Sequence, residues 1–202
     1  MSKKNLILQH AATLFARKGF HETSMAEVSD LSGVASATIF YHFSSKEELL
    51  LSILKRVKEA ILQHFEAYES THGFKNGRDA VQGAITYYLG MAADMEDEFL
   101  LLHRHFLHQL AENNTVCRRH LEQIYNCLVN IIERAICTGC EDGSIGPVEP
   151  HKTALILFST VDGIVRFNTY KLYDAGTLYQ QLLECCDRML VPRQPAKDHH
   201  DS

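Results

Sequence analysis

The stretch that decides the fold is Ser24-Met25-Ala26-Glu27-Val28-Ser29-Asp30-Leu31-Ser32-Gly33-Val34-Ala35-Ser36-Ala37-Thr38-Ile39-Phe40-Tyr41-His42-Phe43-Ser44-Ser45-Lys46. Ser24 with Glu27 three residues on is a capping box, which opens a short helix reaching about Ser32. Gly33-Val34-Ala35 reads as a tight turn, and a second short helix follows from about Ser36 to His42. Val28, Leu31, Val34, Ile39 and Phe43 are expected to form the hidden face that holds the pair together. Thr38, Tyr41 and His42 then point outward, with Ser36 and Ala37 at the leading end. One helix braced on another across a sharp turn is the geometry that lets the second enter the major groove of DNA.

Outward from this stretch the pattern stays helical, and the fold class read from it is all-α. Ile7, Ala11, Leu14 and Phe15 recur at helical spacing until Gly19 supplies a stop. Ser45-Lys46-Glu47-Glu48 forms a second capping box, opening a long helix through Leu50, Ile53, Leu54, Val57, Ile61, Phe65 and Tyr68. Further helices are expected at about 76–95, 97–112, 115–138, 151–173 and 176–190. The chain holds four prolines (Pro147, Pro150, Pro192, Pro195), so its first 146 residues contain no proline break. The clearest loop spans Thr138 to Pro147. The organisation read from this is a DNA-binding unit over 1–47, a helical body over 48–191, and a disordered tail over 192–202.

Composition supports an ordinary globular protein, with 46% hydrophobic and 22% charged residues in 202. No apolar run approaches the roughly 18–20 residues of a spanning helix, and the N-terminus lacks the pattern of a secretory leader. A cytoplasmic protein with no membrane partner is expected. The net charge of −5 argues against a protein that coats nucleic acid indiscriminately, yet residues 1–60 carry +2 and the remainder −7. A mildly basic first quarter suits a phosphate-contacting surface. All six cysteines lie between Cys117 and Cys186 and are expected as reduced thiols.

Ala11-Ala12-Thr13-Leu14-Phe15, Gly19-Phe20, Thr23-Ser24, Gly33-Val34, Ile39-Phe40-Tyr41-His42-Phe43 and Ser45-Lys46-Glu47-Glu48-Leu49 together resemble the tetracycline-repressor (TetR) family. The resemblance spans about the first 60 residues. It implies a two-domain, all-α homodimer whose N-terminal three-helix unit binds double-stranded operator DNA and whose long fourth helix leads into a ligand-binding body. It places Thr38, Tyr41 and His42 against DNA backbone or base edges, with Ser36 and Ala37 at the start of the recognition helix. Lys46 is set against a phosphate at the start of the fourth helix, where the helix N-terminus also favours an anion. Ser24 is assigned either a phosphate contact or the N-cap, and Phe40 either a thymine-methyl contact or burial. The sequence departs from the family pattern at Ala35, which lacks the usual capping hydroxyl that Ser36 would then replace, and at Ala37, where glycine is usual.

The second half is less specific. Tyr87, Tyr88, Phe99, His103, Phe106, Tyr125 and Phe158 are the candidate walls of a pocket for a small-molecule effector, against the alternative of ordinary core aromatics. Asp162 and Arg166 stand four apart and read as an intrahelical ion pair. His103, His105, His108, Cys117 and His120 raise a metal reading, and Cys137/Cys140 and Cys185/Cys186 a redox one. A lone C-x-x-C without a partner pair falls short of a structural zinc site, so neither metal nor cofactor is expected. No nucleophile–base set, phosphate-binding glycine loop or paired-carboxylate motif marks an enzyme. The function read is a ligand-responsive regulator, most simply a repressor that releases its operator when the body binds an effector. A DNA-binding accessory protein on the same fold, without an effector, is the alternative.

Overall fold

The computed structural model describes residues 2–191, and the tail expected at 192–202 lies outside them. Among the described residues ten helices and no strand occur: α1 (Lys3–Arg17), α2 (Met25–Ser32), α3 (Ser36–His42), α4 (Lys46–His72), α5 (Gly77–Asp94), α6 (Glu96–Leu102), α7 (His105–Asn113), α8 (Thr115–Asp142), α9 (Pro150–Thr169) and α10 (Ala175–Leu190). Local chemistry explains most of their ends. Ser2, Ser24, Ser45, Asn76, Asn114 and Asp174 each cap a helix N-terminus with a side-chain oxygen. Gly33, Gly73 and Gly143 close α2, α4 and α8 in the left-handed conformation that disfavours a Cβ.

Helices α1 to α3 and the first turns of α4 form a head. Its core is Ile7, Leu8, Ala11, Phe15, Val28, Ile39, Phe43, Leu49, Leu50 and Ile53, all buried. The body is built on α8, which packs against α4, α5, α7 and α9, and α10 closes over α9 and α5. At one point α5 and α8 nearly touch. A Cβ on Gly77 would lie 2.0 Å from the Gly139 backbone nitrogen, so only glycine permits this approach.

The structure alters three expectations. Leu31 is 48% exposed, while Ser32 is buried in its place. The face that α2 hides runs through Val28 and Ser32, one full turn apart, and the Ser29 hydroxyl reaches across the turn to the Val34 carbonyl at 2.8 Å. The helix expected at 97–112 is two helices, broken at His103 and Arg104, with Arg104 in extended backbone. No glycine or proline marks that break; it is set by what the two side chains hold, as described below. The helix expected to run to 173 stops at Thr169, and Lys171 then adopts a positive φ of 55°.

Helix α6 folds back onto α1 and joins body to head. Asp97 accepts from Thr13 Oγ1 at 2.7 Å and Arg17 Nε at 2.6 Å, and Glu98 accepts from Arg56 at 2.7 Å. Arg104 Nε donates to the Ala16 carbonyl at 2.6 Å, satisfying the C-terminal end of α1. Phe20 and Phe106 stack at 5.4 Å beside it.

Candidate functional site

The head presents α3 on its surface. Ile39 and Phe43 point inward, and their burial turns Phe40 and Tyr41 outward, Tyr41 to 84% exposure. Ser36 and Ala37 are exposed, while Thr38 and His42 are half-buried beside them. Tyr41 and His42 lie edge to face at 5.2 Å, a pairing that orders both rings without burying either. Ala35 is the N-cap of α3, and no side chain caps this helix. The capping role expected to pass to Ser36 is therefore not taken up.

Ser24 and Lys46 have structural duties here. Ser24 completes its capping box, accepting from the Glu27 amide at 3.2 Å while the Glu27 carboxylate takes the Ser24 amide at 2.8 Å. Glu27 also pairs with Lys18. Hydrogen bonds from Lys18 and then Ser24 hold its carboxyl well below the ordinary range, at about 2. At the second cap Ser45 accepts from Glu48, but the Glu48 carboxylate reaches one residue further back, to Ser44. The Lys46 ammonium donates to the carbonyls of Phe20 at 2.6 Å and Thr23 at 2.8 Å, and lies 4.6 Å from the Phe20 ring centre. It ties the α1–α2 loop to the start of α4.

In the body the candidate aromatics divide. Tyr88, Phe99, Tyr125 and Phe158 form one cluster, with ring centres 5.5 Å (Tyr88–Phe99), 5.7 Å (Tyr88–Phe158) and 6.0 Å (Tyr125–Phe158) apart. His103 reaches the same cluster through Asp162. Tyr87 lies elsewhere, packed on Phe65 and Tyr68 and donating to the Ile61 carbonyl at 2.6 Å. Phe106 is at the joint with the head.

Asp162 organises the polar centre of that cluster, which the sequence reading did not anticipate. Its Oδ1 accepts from Tyr88 Oη at 2.6 Å and lies 3.2 Å from His103 Nε2. Among the described residues no ion pair joins it to Arg166; the acid turns inward where the buried hydroxyl and imidazole lie. Burial pushes the Asp162 carboxyl up, but the bonds from His103 and Tyr88 outweigh this and hold it below the usual carboxylate range. Burial first, then the Asp162 charge, push Tyr125 up to about 12 and Tyr88 well above the ordinary phenol value. His103 Nδ1 is buried with no hydrogen-bond partner. The adjoining Tyr170 hydroxyl fixes the His103 carbonyl at 2.8 Å. His103 thus holds α9 while the next residue, Arg104, holds α1.

A cavity of about 500 Å³ lies between α5, the end of α9 and the start of α10. Leu89, Val165 and Thr169 line it, with the Thr86 and Tyr179 hydroxyls hydrogen-bonded at 2.8 Å on its wall. No sequence motif marks these residues. Among the described residues no three His, Cys, Asp or Glu side chains are grouped to hold a metal. Burial pushes the Cys127 and Cys186 thiols up to about 11, opposite to the shift that activates a thiolate. Among the described residues no helix is long and apolar enough to cross a membrane.

Residues 7–53 match the family model of bacterial regulatory proteins, tetR family. The HTH-type transcriptional regulator RutR of Escherichia coli (strain K12) is 21% identical over 166 residues, covering 82% of this chain and 75% of that protein. A putative transcriptional regulator from Saccharomonospora viridis, solved in complex with choline, superposes with a TM-score of 0.83 at 22% identity, covering 94% of this chain and 98% of that one. The regulator FadR from Bacillus subtilis, solved in complex with stearoyl-CoA, gives 0.75 at 21% identity over 93% and 99% of the two chains. These two share the fold.

Proposed function

We propose that this chain, which belongs to the TetR family of transcriptional regulators, represses genes in the cytoplasm as a homodimer and releases its operator when a small molecule binds its body. The observation that carries the reading is the exposed α3, turned outward by the burial of Ile39 and Phe43. Thr38, Phe40, Tyr41 and His42 are proposed to meet base edges and backbone, with Ser24, Ser36 and Ala37 near the phosphates. Lys46 braces this surface, and a phosphate would exchange for one of its carbonyl partners.

The functional division follows residues 1–47 and 48–191, although α4 runs unbroken across that line. The apolar side chains left exposed on α9 and α10, among them Leu155, Ile156 and Met189, support pairing with a second copy. Two-fold symmetry then sets two α3 helices about 34–36 Å apart, one DNA turn, or somewhat more. The effector acts by binding one spacing of the heads more tightly than the other. Its path to the head is the His103–Arg104 break, where one end grips α9 and the other caps α1.

The test is titration of the purified protein against its own promoter DNA and a random fragment across a salt series. Specific, salt-sensitive binding that is weakened in Tyr41→Ala is expected. Equal affinity for both fragments at every salt concentration would sink the reading.

A further inference from the structure

We infer that Asp162 is the recognition group for an effector carrying a compact organic cation, seated against the rings of Tyr88, Tyr125 and Phe158; this rests on the regulator reading above. Hydrogen bonding at the Asp162 carboxylate is one-sided. Both hydrogen bonds to the carboxylate fall on Oδ1, and among the described residues Oδ2 receives none. The side chain is nonetheless 22% exposed.

An ionised carboxylate offers about four acceptor positions, and in a low-dielectric setting an unpaired one is costly. Arg166, one turn along α9, is the natural compensating charge, yet it is exposed and makes no ion pair with Asp162 among the described residues. Within the same limit no lysine or arginine from any other helix lies within ion-pair distance either; His103 is the one basic side chain there. The acid is thus supplied with donors enough to keep it charged; the Arg166 charge also favours its ionised form without forming an ion pair among the described residues.

The surroundings favour the same ligand. The rings of Tyr88, Tyr125 and Phe158 pack on one another, Tyr88 holding the carboxylate through its hydroxyl, and ring faces attract cations and repel anions. Tyr125 is half-buried, so this side of the cluster opens toward solvent. Val165 and Thr169, further along the same face of α9, line the cavity of about 500 Å³ described above, which Asp162 and the three rings do not line. An anionic head group would meet Asp162 with a like charge and gain nothing from the rings.

The experiment compares three probes of one skeleton: 2-phenylethylammonium, 2-phenylethanol and phenylacetate. Binding to the full chain is followed by calorimetry, with operator binding measured in parallel. The cation is expected to bind roughly tenfold or more tighter than the alcohol, and the anion more weakly than either. Asp162→Asn keeps an acceptor for Tyr88 and should bring the cation down to the affinity of the alcohol. Tyr125→Leu, at the accessible edge, should weaken the cation selectively and serves as the check if Asp162→Asn folds poorly. Equal binding of cation and alcohol, no binding of the cation, or a cation affinity unchanged in both variants overturns the proposal. Intact operator binding in that case leaves the regulator reading standing. Charge-selective binding without operator recognition would instead uphold the site and remove the regulator.

Discussion

Tyr41 and Tyr88 are the same side chain under opposite constraints. Tyr41 stands on α3 at 84% exposure, its hydroxyl bonded to no protein group among the described residues. Tyr88 is 4% exposed and its hydroxyl is committed to Asp162 at 2.6 Å. An exposed phenol keeps its hydrogen bonds with water and owes nothing to the fold, whereas a buried one must find a partner or destabilise it. The recognition groups proposed for the head are therefore separable from stability, and those proposed for the body are not. The head can change its operator preference by surface substitution, while the body must change its ligand by rebuilding part of its core.

The largest expected effect comes from removing the acid that the body depends on. Asp162→Ala leaves the Tyr88 hydroxyl and His103 Nε2 buried without a partner, a loss of about 3 kcal/mol. Urea unfolding monitored by circular dichroism should show it, with Asp162→Asn losing much less. If Asp162→Ala is as stable as the wild type, the body's polar cluster is not structural and the contrast with the head collapses.

Next in size is Tyr41→Ala, which should weaken operator binding by about 1–2 kcal/mol, roughly 5- to 30-fold, while shifting unfolding by no more than about 0.5 kcal/mol. Measured side by side, the two variants separate affinity from stability. A Tyr41→Ala protein that unfolds as readily as Asp162→Ala would show that the exposed ring supports α3 after all.

The same difference governs what could be read from the residues. The head is written in short-range chemistry: Ser24 with Glu27, Gly33 in the left-handed turn, Ile39 and Phe43 one turn apart. Each signal lies within a few residues of the structure it determines. Leu31 misled because apolar residues three and four apart both satisfy helical spacing, and the short α2 buried Ser32 instead. In the body the decisive partners are distant in the chain. Tyr88 and His103 reach Asp162 from α5 and from the end of α6, so the local i,i+4 rule pointed to Arg166. The His103–Arg104 break has no glycine or proline because tertiary bonds to α9 and α1 impose it. Phe106 packs on Phe20, and nothing within its own segment announces that.

Arg104 tests whether head and body are coupled through that break. Its guanidinium supplies donors to the last carbonyls of α1, so Arg104→Ala should cost about 1 kcal/mol of stability. Operator affinity and effector affinity, each measured alone, should change little. The effector's influence on operator affinity should shrink, because the free energy linking the two sites passes through this contact. Full release of DNA by effector in Arg104→Ala would place the coupling elsewhere, with the α6 carboxylates Glu96, Asp97 and Glu98 among the other contacts between α6 and the head.

The smallest effect is a pH dependence confined to the head. Glu27 has its carboxyl held at about 2 by hydrogen bonds from Lys18, then from the Ser24 amide and hydroxyl, against an ordinary glutamate value of about 4.3. A carboxyl with a depressed folded-state pKa binds its proton more readily when unfolded. Its contribution is present in full above about pH 4.3 and disappears as the pH falls through about 2. The Glu27 side chain is 39% exposed, and its pairing with Lys18 is screened by salt, so the slope should be shallow and should flatten at high ionic strength. Glu27→Gln should melt slightly below the wild type at neutral pH, and the two curves should converge toward pH 2. Asp162, Asp142 and Asp187 are also depressed and steepen the acid limb of both proteins equally, so only the difference between the curves reports on Glu27. Parallel curves across that window would mean that the capping box contributes through its neutral hydrogen bonds alone, and that the charge on Glu27 adds nothing to the start of α2.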